Sequence, residues 1–283
     1  MPADTDSVLR KLEEREKTEG KLPPLLKLYQ ELLRVQAEVE RKLASQSQAG
    51  SSREAIKQRL ESGTPLVSFD DLALDEELLS DTFRQVIAIF ADHYAGPAGS
   101  SLERLRELQS EYHLTRETVK SWFEKQKLPA KSLPRGVNKN IFHAIIGATL
   151  KPFLVSHART LTGSIDQERW RRGYCPVCGG KPDLAFLTGD QGARWLKCSR
   201  CDTEWLFQRL QCPYCDNQNQ NDLTYFTDDA GLYRLYICER CKSYIKAVDL
   251  RKNESLLLPL ERLYTIDIDR QARERGYRPG YGL

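Results

Sequence analysis

Cys175-Pro176-Val177-Cys178, Cys198-Ser199-Arg200-Cys201, Cys212-Pro213-Tyr214-Cys215 and Cys238-Glu239-Arg240-Cys241 hold all eight cysteines of this 283-residue chain. A Cys-x-x-Cys turn aims two sulfurs at one point, so two such turns supply the four thiolates of a tetrahedral metal site. Four turns predict two sites. The gaps, 19 residues between the first two turns and 22 between the last two, are those of zinc ribbons or rubredoxin-like modules in which a hairpin joins the turns.

An internal repeat supports pairing the turns in sequence rather than interleaving them. A shift of 40 residues lays Arg194, Trp195, Leu196, Cys198, Arg200, Cys201 and Trp205 onto Arg234, Leu235, Tyr236, Cys238, Arg240, Cys241 and Ile245. The opening turns repeat at a shift of 37, which puts the length difference in the hairpin loops. Two tandem modules follow, with Cys175, Cys178, Cys198 and Cys201 as one ligand set and Cys212, Cys215, Cys238 and Cys241 as the other. Within them, Ala185–Leu187 and Arg194–Lys197 are expected to form one hairpin, Leu223–Phe226 and Leu232–Ile237 the second.

Outside this region the pattern is helical. Pro23 and Pro24 open a helix whose apolar positions run from Leu25 to Leu43, and a polar break follows over Ser45 to Ser52. A short helix lies between that break and Ser62-Gly63-Thr64-Pro65. Asp75 or Ser80 starts the next helix, which Gly96-Pro97-Ala98-Gly99 stops. Two thinner helices are expected over Ser101–Glu111 and Thr115–Gln126. A strongly apolar one carries Val137, Ile141, Phe142, Ile145, Ile146, Leu150, Phe153 and Leu154, kinked or shifted near Pro152. After the modules, Leu256 to Arg275 contains one further helix. The expected fold is therefore α+β: an all-α helical bundle over 1–168, a first four-cysteine module over 169–210, a second over 211–252, and a C-terminal helix and tail over 253–283.

Composition narrows the function. The chain is 40% hydrophobic and 29% charged, ordinary for a globular protein with a real core. No apolar stretch is expected to approach the ~20 residues of a membrane helix, since His143, Lys151 and Pro152 interrupt the best one. Met-Pro-Ala-Asp-Thr-Asp has neither a basic nor an apolar leader segment, so no secretory signal is expected and the cytoplasm is the default. In that reducing compartment clustered cysteines are metal ligands rather than disulfides. The formal charge of +3 counts thiols as neutral. Eight thiolates subtract eight charges and two divalent ions return four, leaving −1; two ferric ions leave +1. Neither value favours a nucleic-acid partner.

Four thiolates saturate a tetrahedral ion, so such sites are structural or redox rather than hydrolytic. Zinc and iron both accept four sulfurs, and the ligand type does not separate them. The residue after a Cys-x-x-Cys tends to be left-handed, which Gly179 and, less ideally, Asp216 can meet. Lys197, Arg200, Arg240 and Lys242 can offset thiolate charge or serve solubility. The histidines His93, His113, His143 and His157 receive no role, and Asp267 and Asp269 read as a solvated face or helix cap. No nucleotide-binding or hydrolase motif is present, so no catalytic and no organic cofactor-binding residue is assigned and no enzyme is expected. Trp195, Trp205, Tyr233, Tyr236, Tyr244, Arg194 and Arg234 read as packing across the small sheets before they read as a nucleic-acid surface.

The residues around the cysteines are more specific than their spacing. Tyr174-Cys175-Pro176-Val177-Cys178-Gly179, Arg194 through Cys201-Asp202-Thr203-Glu204-Trp205, Cys212-Pro213-Tyr214-Cys215, and Cys238 through Cys241-Lys242-Ser243-Tyr244-Ile245-Lys246 resemble the formate dehydrogenase accessory protein FdhE family. Weaker similarity reaches Pro23–Leu26 and Asp269 through Tyr277. The resemblance implies a cytoplasmic maturation factor with a helical domain and two rubredoxin-like modules. Its implied client is the catalytic subunit of a molybdenum- or tungsten-dependent formate dehydrogenase, and iron as well as zinc is implied for the modules. Alternative functions are a rubredoxin-like redox iron protein and a nucleic-acid-binding zinc-ribbon protein.

Overall fold

The structure, a computed structural model, describes residues 5–45, 52–72, 74–93, 100–125 and 127–282. The chain forms two compact units, one drawn from within 4–47 and 68–156, the other from within 48–67 and 157–282. The fold is α+β, with N-terminal helices followed by two three-stranded four-cysteine modules and C-terminal helices. The stop expected at Gly96–Gly99 and most of the break at Ser45–Ser52 lie outside the described residues.

The first unit holds α1 (Thr5–Glu19), α2 (Pro24–Ala44), α4 (Glu76–His93), α5 (Ser100–Glu111), α6 (Arg116–Lys125) and most of α7 (Lys139–Leu161). α1 has no counterpart in the sequence reading, because only Val8 and Leu12 of its 15 residues are buried and the apolar stripe is thin. Pro24 opens α2, where its fixed φ suits the first turn and its missing N–H costs nothing. Of the two candidate starts for α4, Asp75 is the cap: its Oδ1 accepts the Leu78 N–H at 2.9 Å. Phe83, Tyr112 and Phe142 pack edge-on or tilted, with ring centroids 5.2 to 6.4 Å apart.

α7 runs unbroken through Pro152. Proline has no N–H to donate to the carbonyl four residues back, that of Ala148. The buried side chain of Gln36 donates to that carbonyl at 2.9 Å and satisfies it. A polar residue inside an apolar interface is thereby explained. The segment Lys139–Ser164 is also long and apolar enough to cross a membrane, which corrects the expectation that no stretch comes near. Of its apolar window 56% is buried inside the protein, as in a core helix, with Phe142, Ile145, Ile146 and Leu150 fully enclosed.

The second unit contains α3 (Arg53–Ser62) and a mixed sheet. β1 (Pro182–Thr188), β2 (Ala193–Cys198) and β3 (Glu204–Phe207) form one antiparallel meander, β4 (Leu223–Thr227), β5 (Tyr233–Cys238) and β6 (Ser243–Asp249) the other. β2 and β5 stand 40 residues apart, as the repeat requires. The modules fuse edge to edge: β1 pairs with β6 in parallel, Leu184–Leu187 facing Lys246–Asp249, giving the order β3-β2-β1-β6-β5-β4. Near the chain end, β7 (Arg278–Pro279) adds beside the start of β6.

The expected single C-terminal helix is two, α8 (Leu258–Tyr264) and α9 (Ile266–Glu274), divided at Thr265, whose φ of −100° and ψ of 17° are not helical. Both pack on one face of the sheet. Tyr233 donates to Glu261 at 2.7 Å and Tyr244 to Asp269 Oδ1 at 2.8 Å, while Lys246 Nζ lies 2.5 Å from Asp269 Oδ2. Asp269 is therefore a tie between α9 and the sheet rather than a solvated carboxylate; Asp267, paired with Arg270, stays exposed.

Candidate metal centres

Each module brings its four cysteines together. Cys175, Cys178, Cys198 and Cys201 form one group and Cys212, Cys215, Cys238 and Cys241 the other, with the sulfurs of each group within 4.8 Å of one another. All eight are free thiols. Sulfurs at ~2.3 Å from a tetrahedral zinc stand about 3.8 Å apart. Here Cys175–Cys201 and Cys178–Cys198 are 3.5 Å apart, Cys212–Cys241 3.8 Å and Cys215–Cys238 3.7 Å. These separations fit a tetrathiolate ion and are far from the ~2.05 Å of a disulfide.

The turns are built alike. Gly179, Asp216 and Lys242 each donate a main-chain N–H to the carbonyl of the first cysteine of their turn, at 2.8 to 3.1 Å. The residue after every turn is left-handed: Gly179 at φ 71°, Asp202 at 57°, Asp216 at 56° and Lys242 at 55°. The sequence anticipates the first and third; Asp202 and Lys242 share the position but lack glycine's freedom there. Amides then turn to sulfur, with Arg200 N–H at 3.4 Å from Cys198 Sγ and Cys178 N–H at 3.5 Å from Cys175 Sγ. The Thr203 hydroxyl lies 3.0 Å from Cys201 Sγ.

Burial pushes the thiols of Cys175 and Cys201 well up and those of Cys212 and Cys215 up as well. Cys198 goes the other way: burial opposes it, but hydrogen bonds from Cys175, Cys178 and Cys201 draw it well below the usual thiol range. Four adjacent thiols share their protons as a set, and a cation bound by thiolates would release them.

The two groups differ in shelter. All four cysteines of the first are buried, whereas Cys215 and Cys241 of the second are partly exposed. The first turn is roofed by the segment after α3: Leu66 and Val67 N–H donate to the Pro176 and Val177 carbonyls at 2.8 Å, and Tyr174 donates to the Gly63 carbonyl. The opening turn of the second module, Cys212–Cys215, has Gln211 where the first has Tyr174. Beside it lies a cavity of about 170 Å³ lined by Leu210, Pro213, Tyr214, Leu223, Tyr225 and Tyr236 with other residues, among them Cys212 and Cys238. Leu210 and Tyr225 are 59% and 51% exposed.

The basic residues take individual roles. Lys197, buried, pairs with Glu204 at 2.8 Å, and Lys242 pairs with Glu239, so their charge is matched by carboxylates. Arg194, also buried, lies over the rings of Phe207 and Tyr236 and donates to the carbonyls of Gln208 and Gln211, tying down the strap between modules; burial lowers its pKa to about 10. Trp205 and Tyr244 are fully buried, as packing residues should be. Arg262 of α8 escapes sequence inspection. Its guanidinium donates to the Cys198 carbonyl and to Asp183, both at 2.8 Å, and to Asp202, so it clamps the rim of the first group. Only its position in a C-terminal helix, 61 residues after Cys201, hides it.

A helical domain joined to two fused four-cysteine ribbons defines the class: a ribbon protein with two candidate tetrathiolate centres. Residues 174–209 match the family model described as the FdhE central domain. A Protein FdhE homolog of Aquifex aeolicus is 30% identical over 226 residues, covering 78% of this chain and 74% of the relative. Protein FdhE of Escherichia coli is 27% identical over 135 residues, 47% of this chain and 44% of the relative. The crystal structure of the FdhE protein from Pseudomonas aeruginosa superposes with a TM-score of 0.63 at 22% identity, covering 99% of this chain and 95% of that one, which speaks for the fold. The chain belongs to the FdhE family.

Proposed function

We propose that this protein is a cytoplasmic maturation factor, not an enzyme, that docks the catalytic subunit of a molybdenum- or tungsten-dependent formate dehydrogenase on its two-ribbon sheet. Modules at 169–210 and 211–252 each hold one ion, iron or zinc, the first through Cys175, Cys178, Cys198 and Cys201, the second through Cys212, Cys215, Cys238 and Cys241. The observation that carries this is the set of eight free thiols, gathered four and four at tetrathiolate spacing, in a chain of the FdhE family. Four sulfurs close the coordination shell, so the ions hold the ribbons in shape for a partner rather than activating water.

A redox iron reading draws on the partial exposure of Cys215 and Cys241, since an electron-transfer site needs an edge near the surface. Anaerobic purification from iron-replete cells separates the two: visible absorption that bleaches on reduction supports redox iron, and a colourless protein with two zinc ions excludes it. The docking role is tested by co-expressing the metal-loaded chain with a formate dehydrogenase catalytic subunit. Retention of the subunit is expected; failure to retain it with both ions in place overturns the proposal.

A further inference from the structure

The joint between the modules displays what a module edge can accept. β1, the first strand of one module, receives β6, the third strand of the other, in parallel. This contact is head to tail, and a heterologous contact leaves one copy of each surface unused. The unused copies are the outer edges of β3 and β4.

These edges are not equivalent. β3 has four residues, and its Leu206 N–H donates to Gln167 Oε1 at 3.0 Å, a side chain standing where a further strand would bind. β4 has no such cover. Asp228 N–H donates to the Tyr233 carbonyl and Glu239 N–H to that of Asp222, so the hydrogen-bonded pairs between β4 and β5 are Thr224 with Ile237 and Phe226 with Leu235. Leu223, Tyr225 and Thr227 therefore turn their main-chain N–H and C=O groups away from β5; the Leu223 N–H donates to the Gln220 carbonyl, and among the described residues nothing meets the main-chain groups of Tyr225 and Thr227. The same parity holds in the first module. Leu187 faces Arg194 as Thr227 faces Arg234, and its outward carbonyl accepts the Leu250 N–H at 3.0 Å.

β4 is also aromatic, with Tyr225 and Phe226 51% and 47% exposed, which on an uncovered edge invites strand pairing. Cations flank it. Arg275 lies over the Phe226 ring at 5.0 Å, Arg209 lines the cavity, and neither has a carboxylate partner among the described residues. The cavity, on the Tyr225 side, is about 170 Å³, close to the ~150 Å³ that holds one benzene-sized group.

We propose that β4 is a strand-addition site, resting on the docking function above: an extended acidic segment of the catalytic subunit pairs in parallel with Leu223–Thr227, as β6 pairs with β1. One leucine- or phenylalanine-sized side chain enters the cavity, and carboxylates face Arg209 and Arg275. Main-chain hydrogen bonds supply affinity and the pocket supplies selectivity. A second copy of this chain is the poorer occupant, because the β3 edge it would offer is capped by Gln167.

Thr227→Pro tests this, since it deletes one outward N–H and sets a ring on the edge while leaving the ladder to β5 intact. Thr227→Val is the control. With co-expressed recombinant catalytic subunit, Thr227→Pro should weaken capture ~10-fold or more. Thr227→Val should bind as the wild type, and both variants should keep the wild-type metal content. In the wild-type complex, amide exchange at Tyr225 and Thr227 should slow. Equal capture by Thr227→Pro, or unprotected Tyr225 and Thr227 amides in the complex, overturns strand addition and leaves docking standing. No capture by the wild type overturns docking and strand addition together. A dimer of this chain that Thr227→Pro dissociates, with capture unchanged, gives the edge to a second copy and overturns the proposal.

Discussion

Arg262→Met is the sharpest probe of how the C-terminal helices serve the first metal centre. Methionine keeps most of the side-chain length and packing and removes only the guanidinium. Three interactions go: those to Asp183 and the Cys198 carbonyl at 2.8 Å, and the pair with Asp202. Hydrogen bonds to charged groups contribute about 1.5–3 kcal/mol each. Asp183 and Asp202 are 19% and 22% exposed, so water recovers part of their solvation and the low end applies. At about 1.5 kcal/mol each, the fold should lose about 4.5 kcal/mol. Asp202 is the left-handed residue after Cys201, and the Cys198 carbonyl belongs to the same turn, so release of the clamp loosens two ligands. Loss of such outer partners weakens metal binding about 10–100-fold. Competition against a chromophoric chelator reads the affinity of each site, and denaturant unfolding of the loaded protein reads stability. A first-site affinity within about threefold of wild type would refute the argument that Arg262 holds the ligand turn, whatever the stability change.

Three further outcomes follow from burial and charge. A strong chelator should strip the second site before the first, because Cys215 and Cys241 are partly exposed and the first four are buried; metal analysis after brief treatment should find the remaining ion with Cys175, Cys178, Cys198 and Cys201, as tested by thiol labelling. Gly173→Ala should cost about 1–3 kcal/mol, since an added Cβ would fall on the Pro213 backbone carbonyl and force the two modules' entry turns apart; a shift in denaturation midpoint checks it. Asp249 is fully buried, and hydrogen bonds from Arg251, with Arg234 nearby, hold its carboxyl below the usual range. Its contribution is therefore present above the unfolded pKa of ~3.9 and lost as pH falls through the lower folded value. Asp249→Asn should flatten that acid limb of stability, and an unchanged limb would contradict it.

The four-cysteine groups were legible because their chemistry is local. Two residues inside a Cys-x-x-Cys turn fix where two sulfurs point, and the 40-residue repeat assigned which turns belong together. Helices with wide apolar stripes, such as α2 and α7, were equally plain. α1 was not, since two buried side chains on 15 residues leave little periodicity to see. The split at Thr265 was hidden as well, because nothing after Pro259, which sits in the first turn of α8, breaks a helix by propensity; Leu258 packs across the β1–β6 joint and Ala272 on the second module, so the two helices seat separately.

The sequence by itself determined that there are two copies of one ribbon, which eight residues converge, and which family the chain resembles, all consequences of spacing and side-chain type. Tertiary structure alone decided that the copies join through a parallel β1–β6 contact. That contact pairs main-chain groups 62 residues apart, Leu184 with Lys246, and backbone hydrogen bonds carry no sequence label. Tertiary structure likewise decided the asymmetries that matter: a first centre roofed by the segment after α3, a more open second one, an edge closed by Gln167, and the β4 edge beyond Leu223 left free among the described residues.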